Sequence, residues 1–234
     1  MEAGVGTLGR RRLGAGRVGA LLTTAILVGI GGGLVVRLLL TQPAPVWAPI
    51  VTERYGLDGQ ASWAPGARPA PAIDTLVDQT GRRFSLSSLH GQTVALAFFD
   101  SHCNQECPLE GRELAAAEQS LPAAQRPVLV AVSVNPLDTP ASTRRAASAW
   151  GLAGAASWHW LMGTHAELAP VWKAFHIYVG RSADGDIPHT EALILIDGRG
   201  FERSGYLYPF AQRFVTHDLG VLAHGRHARG ARHD

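Results

Sequence analysis

The sequence predicts an α/β domain, a mixed, mostly parallel central sheet flanked by helices, following an N-terminal transmembrane helix. Three observations carry this expectation. A run of 19 uncharged residues lies near the start, at 18–36. Three later apolar runs, 94–99, 128–134 and 192–196, are strand-length and continuous rather than alternating, as in strands buried on both faces. Segments with helical periodicity and recognisable caps separate them, and strands alternating with helices build a mostly parallel sheet covered on both faces.

As a helix, 18–36 would span roughly 28 Å, about one hydrocarbon core. Arg37 ends the uncharged run, but its long stem can carry the charge to the interface while Leu38, Leu39 and Leu40 stay in lipid. The anchor is therefore set at 18–40. Arg10, Arg11, Arg12 and Arg17 precede it, which places residues 1–17 in the cytoplasm and the rest outside. A cleaved signal peptide would export the same portion, although no clean Ala-x-Ala site precedes a mature start. The expectation is a single-pass cell-membrane protein with a periplasmic or otherwise extracytoplasmic C-terminal domain. Without those four arginines, Arg37 and Glu2, 16 basic residues face 18 acidic ones. No basic surface for nucleic acid is implied.

Residues 41–70 carry Pro43, Pro45, Pro49, Pro65 and Pro69 without sustained periodicity, the composition of an extended tether. The domain proper is set at 71–222. It opens with two short strand candidates, 73–77 and 83–86, flanking the turn signal Asp78-Gln79-Thr80-Gly81. After the first buried run, Pro108 begins a helix that extends to about 121. Thr139 caps another, with Pro140 in its first turn and Gly151 after its end. Thr164 and Glu167 form a capping box for a third, which sets Leu168, Val171, Trp172 and Phe175 on one face and carries Pro170 as a potential bend. A last amphipathic stretch, about 209–222, would cover the sheet. Residues 223–234 read as a polar His/Arg tail.

The chain has two cysteines, in Asp100-Ser101-His102-Cys103-Asn104-Gln105-Glu106-Cys107-Pro108, where a buried strand gives way to a helix. Ends of strands are where α/β domains place chemistry. Cys107 is expected near the helix N-cap, where unpaired amides favour thiolate over thiol. A structural disulfide is the plain alternative, but closing so short a loop contributes only about 2 kcal/mol from chain entropy. Metal binding or redox chemistry of Cys103 and Cys107 suits the position better.

Two thiolates leave a soft metal short of ligands, and ten histidines could supply another. His224, His227 and His233 fall in the polar tail. His102 adjoins the cysteines, and His90, His159, His165, His176 and His217 fall in surface-like contexts. His189 stands on a loop, Asp186-Ile187-Pro188-His189-Thr190, directly before the run at 192–196, and is one candidate among the ten.

Taken in order, the strand ending Phe98-Phe99, the Cys-x-x-x-Cys-Pro turn, Asp138-Thr139-Pro140, the stretch 158–179 and a loop histidine before Leu193-Ile194-Leu195-Ile196-Asp197 resemble the SCO/SenC copper chaperones over roughly residues 70–218. The resemblance implies a thioredoxin-like fold behind a membrane anchor and a copper site formed by Cys103, Cys107 and His189. It also implies a partner, subunit II of cytochrome c oxidase or another copper acceptor, that receives copper or has its thiols kept reduced. Three departures bear on the partner-facing surface. Asn104 replaces a proline common after the first cysteine, Asn135 replaces the first acid of an Asp-Pro-x-x-Asp-Thr segment that is one residue shorter here, and Ile187-Pro188 replaces Val-Asp before the histidine.

Two sulfurs and one imidazole satisfy Cu(I) but leave Zn(II) short of its usual four donors. Copper, as Cu(I) or Cu(II), is thus the expected metal and a metallochaperone the expected function. Rival readings use the same cysteines. A thiol-disulfide oxidoreductase that keeps acceptor cysteines reduced would form a Cys103–Cys107 redox disulfide and would not need His189. A thioredoxin-superfamily peroxidase and a copper sensor or store stand behind it.

Overall fold

The central strand of the domain is apolar on both sides because helices cover both faces of the sheet it lies in. The computed structural model describes residues 55–181 and 187–230. The predicted cytoplasmic segment 1–17 and anchor 18–40 lie outside the described residues, among which no helix is long and apolar enough to cross a membrane. Six strands form one sheet: β1 (Ala61–Ser62), β2 (Val94–Phe99), β3 (Val128–Ser133), β4 (Trp158–Leu161), β5 (Ala192–Ile196) and β6 (Glu202–Leu207), in the order β1-β6-β5-β2-β3-β4. The helices are α1 (Glu106–Gln119), α2 (Pro140–Ala149), α3 (His165–Ala174) and α4 (Gln212–Gly230).

The three buried runs predicted from sequence are β2, β3 and β5. The sheet is mixed, as expected, but not mostly parallel. β2, β3 and β4 run parallel, whereas β5 pairs antiparallel with β2, β6 with β5 and β1 with β6. A tight turn after Ile196, closed by Gly200 N donating to Asp197 O at 2.8 Å, folds β6 straight back on β5 with no crossover helix. The turn decides the direction. β6 escaped notice in the sequence because Glu202, Arg203 and Ser204 are polar yet buried, which hides any apolar run.

Alternate residues of the central strands divide the core. Ala95, Ala97 and Phe99 face α1, α2 and α4, together with Leu114, Ala147, Trp150, Trp160 and Leu219. Leu96 and Phe98 face the other way, toward Leu168, Val171 and Trp172 of α3 and the segment carrying Ile73, Leu76 and Phe84. This is the period-two rule applied to a strand with two dry faces.

Several local expectations hold. Thr139 Oγ1 accepts from Ser142 N at 3.1 Å, Ser142 Oγ accepts from Thr139 N, and Gly151 follows α2 with a φ of 83°. Glu167 accepts from Thr164 N at 2.8 Å. The turn at Asp78 is held by its Oδ1, which accepts from Thr80 N and Arg82 N, and Val77 bridges Arg83 across it. The tether expectation for 41–70 does not hold over the described part. From residue 55 onward the chain lies along β6: Trp63 N donates to Arg203 O at 3.0 Å, and the Arg68 guanidinium stacks 4.6 Å over Trp63 and pairs with buried Glu202. The tail expectation from residue 223 also shifts, because the α4 backbone continues to Gly230.

Glu110, on the inward face of α1, is fully buried, and neither carboxylate oxygen has a hydrogen-bond partner among the described residues. Burial, followed by the charges of Glu191 and Cys103, pushes its carboxyl well above the ordinary range. The unfolded chain gives up this proton at about pH 4.3, before the folded chain does, so stability falls as pH rises from there toward the raised folded value. Glu110→Gln should therefore reduce the loss of stability between about pH 5 and pH 8 by at least about 1 kcal/mol, read from denaturant unfolding of the metal-free chain. A variant profile parallel to that of the wild type would remove Glu110 as the cause.

Candidate metal centre

Every group in this centre is positioned by the end of β2. Beyond Phe99 the chain turns, with Cys103 N donating to Asp100 O at 3.1 Å, and enters α1 at Glu106. Cys107 is the second residue of that helix and is fully buried, while Cys103 is partly exposed. Neither is in a disulfide. Position near the helix start was foreseen, but the expected preference for thiolate at Cys107 is reversed. A hydrogen bond with Cys103 and burial both push the Cys107 thiol up, outweighing a stabilising contact from the Asp100 backbone. Desolvation overrides the helix terminus because a charge inside the protein loses its hydration.

His189 comes from the other side of β2. Its Nε2 lies 3.9 Å from Cys107 Sγ and 3.1 Å from Phe98 O. Its other nitrogen, Nδ1, is 2.8 Å from Ile187 O, so each ring nitrogen stands beside a backbone carbonyl and the Nδ1 contact is the shorter. That contact orients the ring and leaves Nε2 as the nitrogen that faces the sulfurs. Backbone pairing holds the loop: His189 bridges Val179, and Gly180 N donates to Pro188 O at 2.7 Å. The structure thus brings together all three residues singled out from the sequence. Cys103 and His189 line one open cleft of about 380 Å³ with Gln105, Glu106, Ile187, Pro188 and Glu191, and Cys107 lies beneath it. No other histidine among the described residues lines this cleft.

Sequence reasoning missed the acids around the centre. Glu191 offers a carboxylate oxygen within 4.8 Å of donor atoms of both Cys107 and His189. Burial and then the charge of Glu106 push its carboxyl up to about 7. The spacing His189-x-Glu191 was the available signal, because residues two apart in extended chain share a side. With Glu106, which lines the same cleft, it gives the cleft two carboxyl groups, and a carboxylate there draws a cation and opposes thiolates.

A second group braces the turn before Cys103. Buried Asp100 Oδ1 accepts from His102 N at 2.9 Å and from Asn135 Nδ2 at 3.0 Å. Asp138 Oδ1 accepts from Ser101 Oγ at 2.5 Å and Oδ2 from Ser133 Oγ at 2.6 Å. Burial raises the Asp138 carboxyl despite these bonds. Asn135, a departure from the pattern noted above, therefore supplies a donor to the buried Asp100 carboxylate where an acid would add a second charge. A third group, Asp58, His217 and Asp218, lies apart from the cleft. There Ser204 Oγ and Tyr206 Oη each donate to Asp218 at 2.6 Å, joining α4 to β6.

The SCO1/SenC family model matches residues 74–222. Among solved structures, ScoI of Bradyrhizobium japonicum with copper bound is 26% identical, with a TM-score of 0.54 over 67% of this chain and 99% of that one. ScoI of Arabidopsis thaliana with copper bound is 22% identical, with a TM-score of 0.58 over 68% of this chain and 98% of its own. BsSco, described as a member of the Sco family of cytochrome c oxidase assembly proteins with a disulfide switch, is 18% identical, with a TM-score of 0.55 over 72% and 97%. No curated protein matches the chain. The fold is theirs, a thioredoxin-like mixed sheet with flanking helices. The family match spans more than half of the sequence and encloses Cys103, Cys107 and His189, and the chain belongs to the SCO1/SenC family.

Proposed function

We propose that this chain binds one copper ion through Cys103, Cys107 and His189 and hands it to a copper acceptor during cytochrome c oxidase assembly, with subunit II of the oxidase as the acceptor. One observation carries the reading: buried Cys107 Sγ stands 3.9 Å from Nε2 of His189, which lines one cleft with Cys103. Two soft sulfurs and an imidazole match Cu(I). The copper-bound ScoI structures of Bradyrhizobium japonicum and Arabidopsis thaliana share this fold. An open cleft lets an acceptor sulfur approach the ion and replace the donors one at a time. The segment at 18–40 would tether the domain outside the cytoplasm, beside a membrane-embedded acceptor. A reporter fused after residue 234 that works only in the cytoplasm should stay silent, and its activity would reverse this topology.

The first test is copper titration of the reduced full-length chain. Wild type should bind one equivalent, and Cys103→Ala or His189→Ala should weaken binding by at least about tenfold. Because the Cys107 thiol is held protonated, copper must displace its proton, and affinity should rise about tenfold per pH unit for each proton released. Absence of stoichiometric copper, or full affinity in both variants, would sink the proposal.

The oxidoreductase reading has its own support in two adjacent, reduced cysteines and in the disulfide switch described for BsSco. In that reaction Cys103 and Cys107 lose two protons and two electrons to an acceptor disulfide and become a disulfide themselves. Reductase-coupled turnover should then survive His189→Ala. Loss of turnover in that variant would rule against a purely thiol-based role.

A further inference from the structure

Three donors satisfy Cu(I), whereas a divalent ion of the same size is better served by four. The cleft contains a fourth. Glu191 presents an oxygen within 4.8 Å of Cys107 Sγ and a His189 ring nitrogen, and it lines the same cleft as Cys103. Donors around a tetrahedral ion with bonds of 2.0–2.3 Å stand about 3.5 Å apart, so closure requires movements of about 1 Å. Side-chain rotation of a glutamate covers that distance.

The backbone on both sides of the pair is held. His189 bridges Val179, and Glu191 O accepts from Tyr208 N at 3.0 Å. With one residue between them in extended chain, both side chains leave the backbone on the cleft side. Charge supplies the selectivity. Two thiolates, a neutral imidazole and Cu(I) sum to one negative charge, and Cu(II) in the same donors sums to zero. A carboxylate bound to Cu(II) restores the single negative charge, and a hard oxygen suits the divalent ion better than the monovalent one.

We propose that Glu191 is a fourth donor to Cu(II) beside Cys103, Cys107 and His189, and that it stands off from Cu(I). It is a specificity-determining residue for the valence of the cargo, and the inference rests on the reading that those three residues hold copper. Glu106, whose charge borders the same cleft from α1, is the comparison that separates ligation from general attraction.

The test measures Cu(I) and Cu(II) affinities, and the electron paramagnetic resonance spectrum of the Cu(II) form, for the full-length chain and for Glu191→Gln, Glu191→Ala and Glu106→Gln. Both Glu191 variants should lose about tenfold or more in Cu(II) affinity, keep Cu(I) affinity within about twofold, and show altered copper hyperfine coupling. A tenfold loss confined to Cu(II) corresponds to a rise of about 59 mV in the copper potential. Glu106→Gln should leave the spectrum unchanged. Copper bound in both valences with Glu191 variants indistinguishable from wild type would overturn this inference alone. So would a Glu106→Gln variant that reproduces the Cu(II) loss while no variant alters the spectrum. Failure of the wild type to bind either valence would overturn the copper reading itself and this inference with it.

Discussion

The antiparallel pairing of β5 with β2 is the constraint on which the centre depends. Ala97 stands opposite Leu193 and Val94 opposite Ile196, so the chain that precedes β5 lies beside the chain that follows β2. His189 therefore arrives next to Phe98 O and the two cysteines. A parallel β5 would leave the same histidine at the opposite sheet edge, roughly 20 Å away for strands of six residues. Two segments 82 positions apart in sequence meet because β5 runs opposite to β2 along their shared edge.

The interior around this junction is unusually acidic for a site proposed to work through sulfur. Glu110 and Asp100 are buried, and Asp138 and Glu191 are partly so. The hydrogen bond with Cys103 and burial, with a smaller contribution from negative neighbours, push the Cys107 thiol up, which restrains nucleophilic chemistry. The same surroundings favour a positive guest. A bare low-pKa thiolate, as in a vigorous redox enzyme, would need the opposite environment.

The turn that carries Cys103 is secured by hydrogen bonds rather than by a disulfide. Asp100 and Asp138 fasten it to β3 and to the start of α2 through Asn135, Ser101 and Ser133. The helix cap at Thr139, visible in the sequence, is part of the same bracing, because Ser142 Oγ lies 2.8 Å from Ser101 Oγ. Local capping and site geometry thus share one residue.

The sequence by itself determined the buried strands, the capped helices and the place of the cysteine pair, because those features rest on periodicity and on residues within one turn of each other. It also made His189 a candidate, and family resemblance is the source of the ligand role proposed for it. Three further matters were settled only in the tertiary structure. The direction of β5 is set by its pairing with β2, a strand about a hundred residues earlier. The protonation of Cys107 depends on desolvation and on a neighbouring sulfur rather than on helix position. The presence of Glu191 at the cleft depends on two strands lying side by side. Each is an interaction between distant parts of the chain in a low-dielectric interior, and no local pattern of residues encodes it.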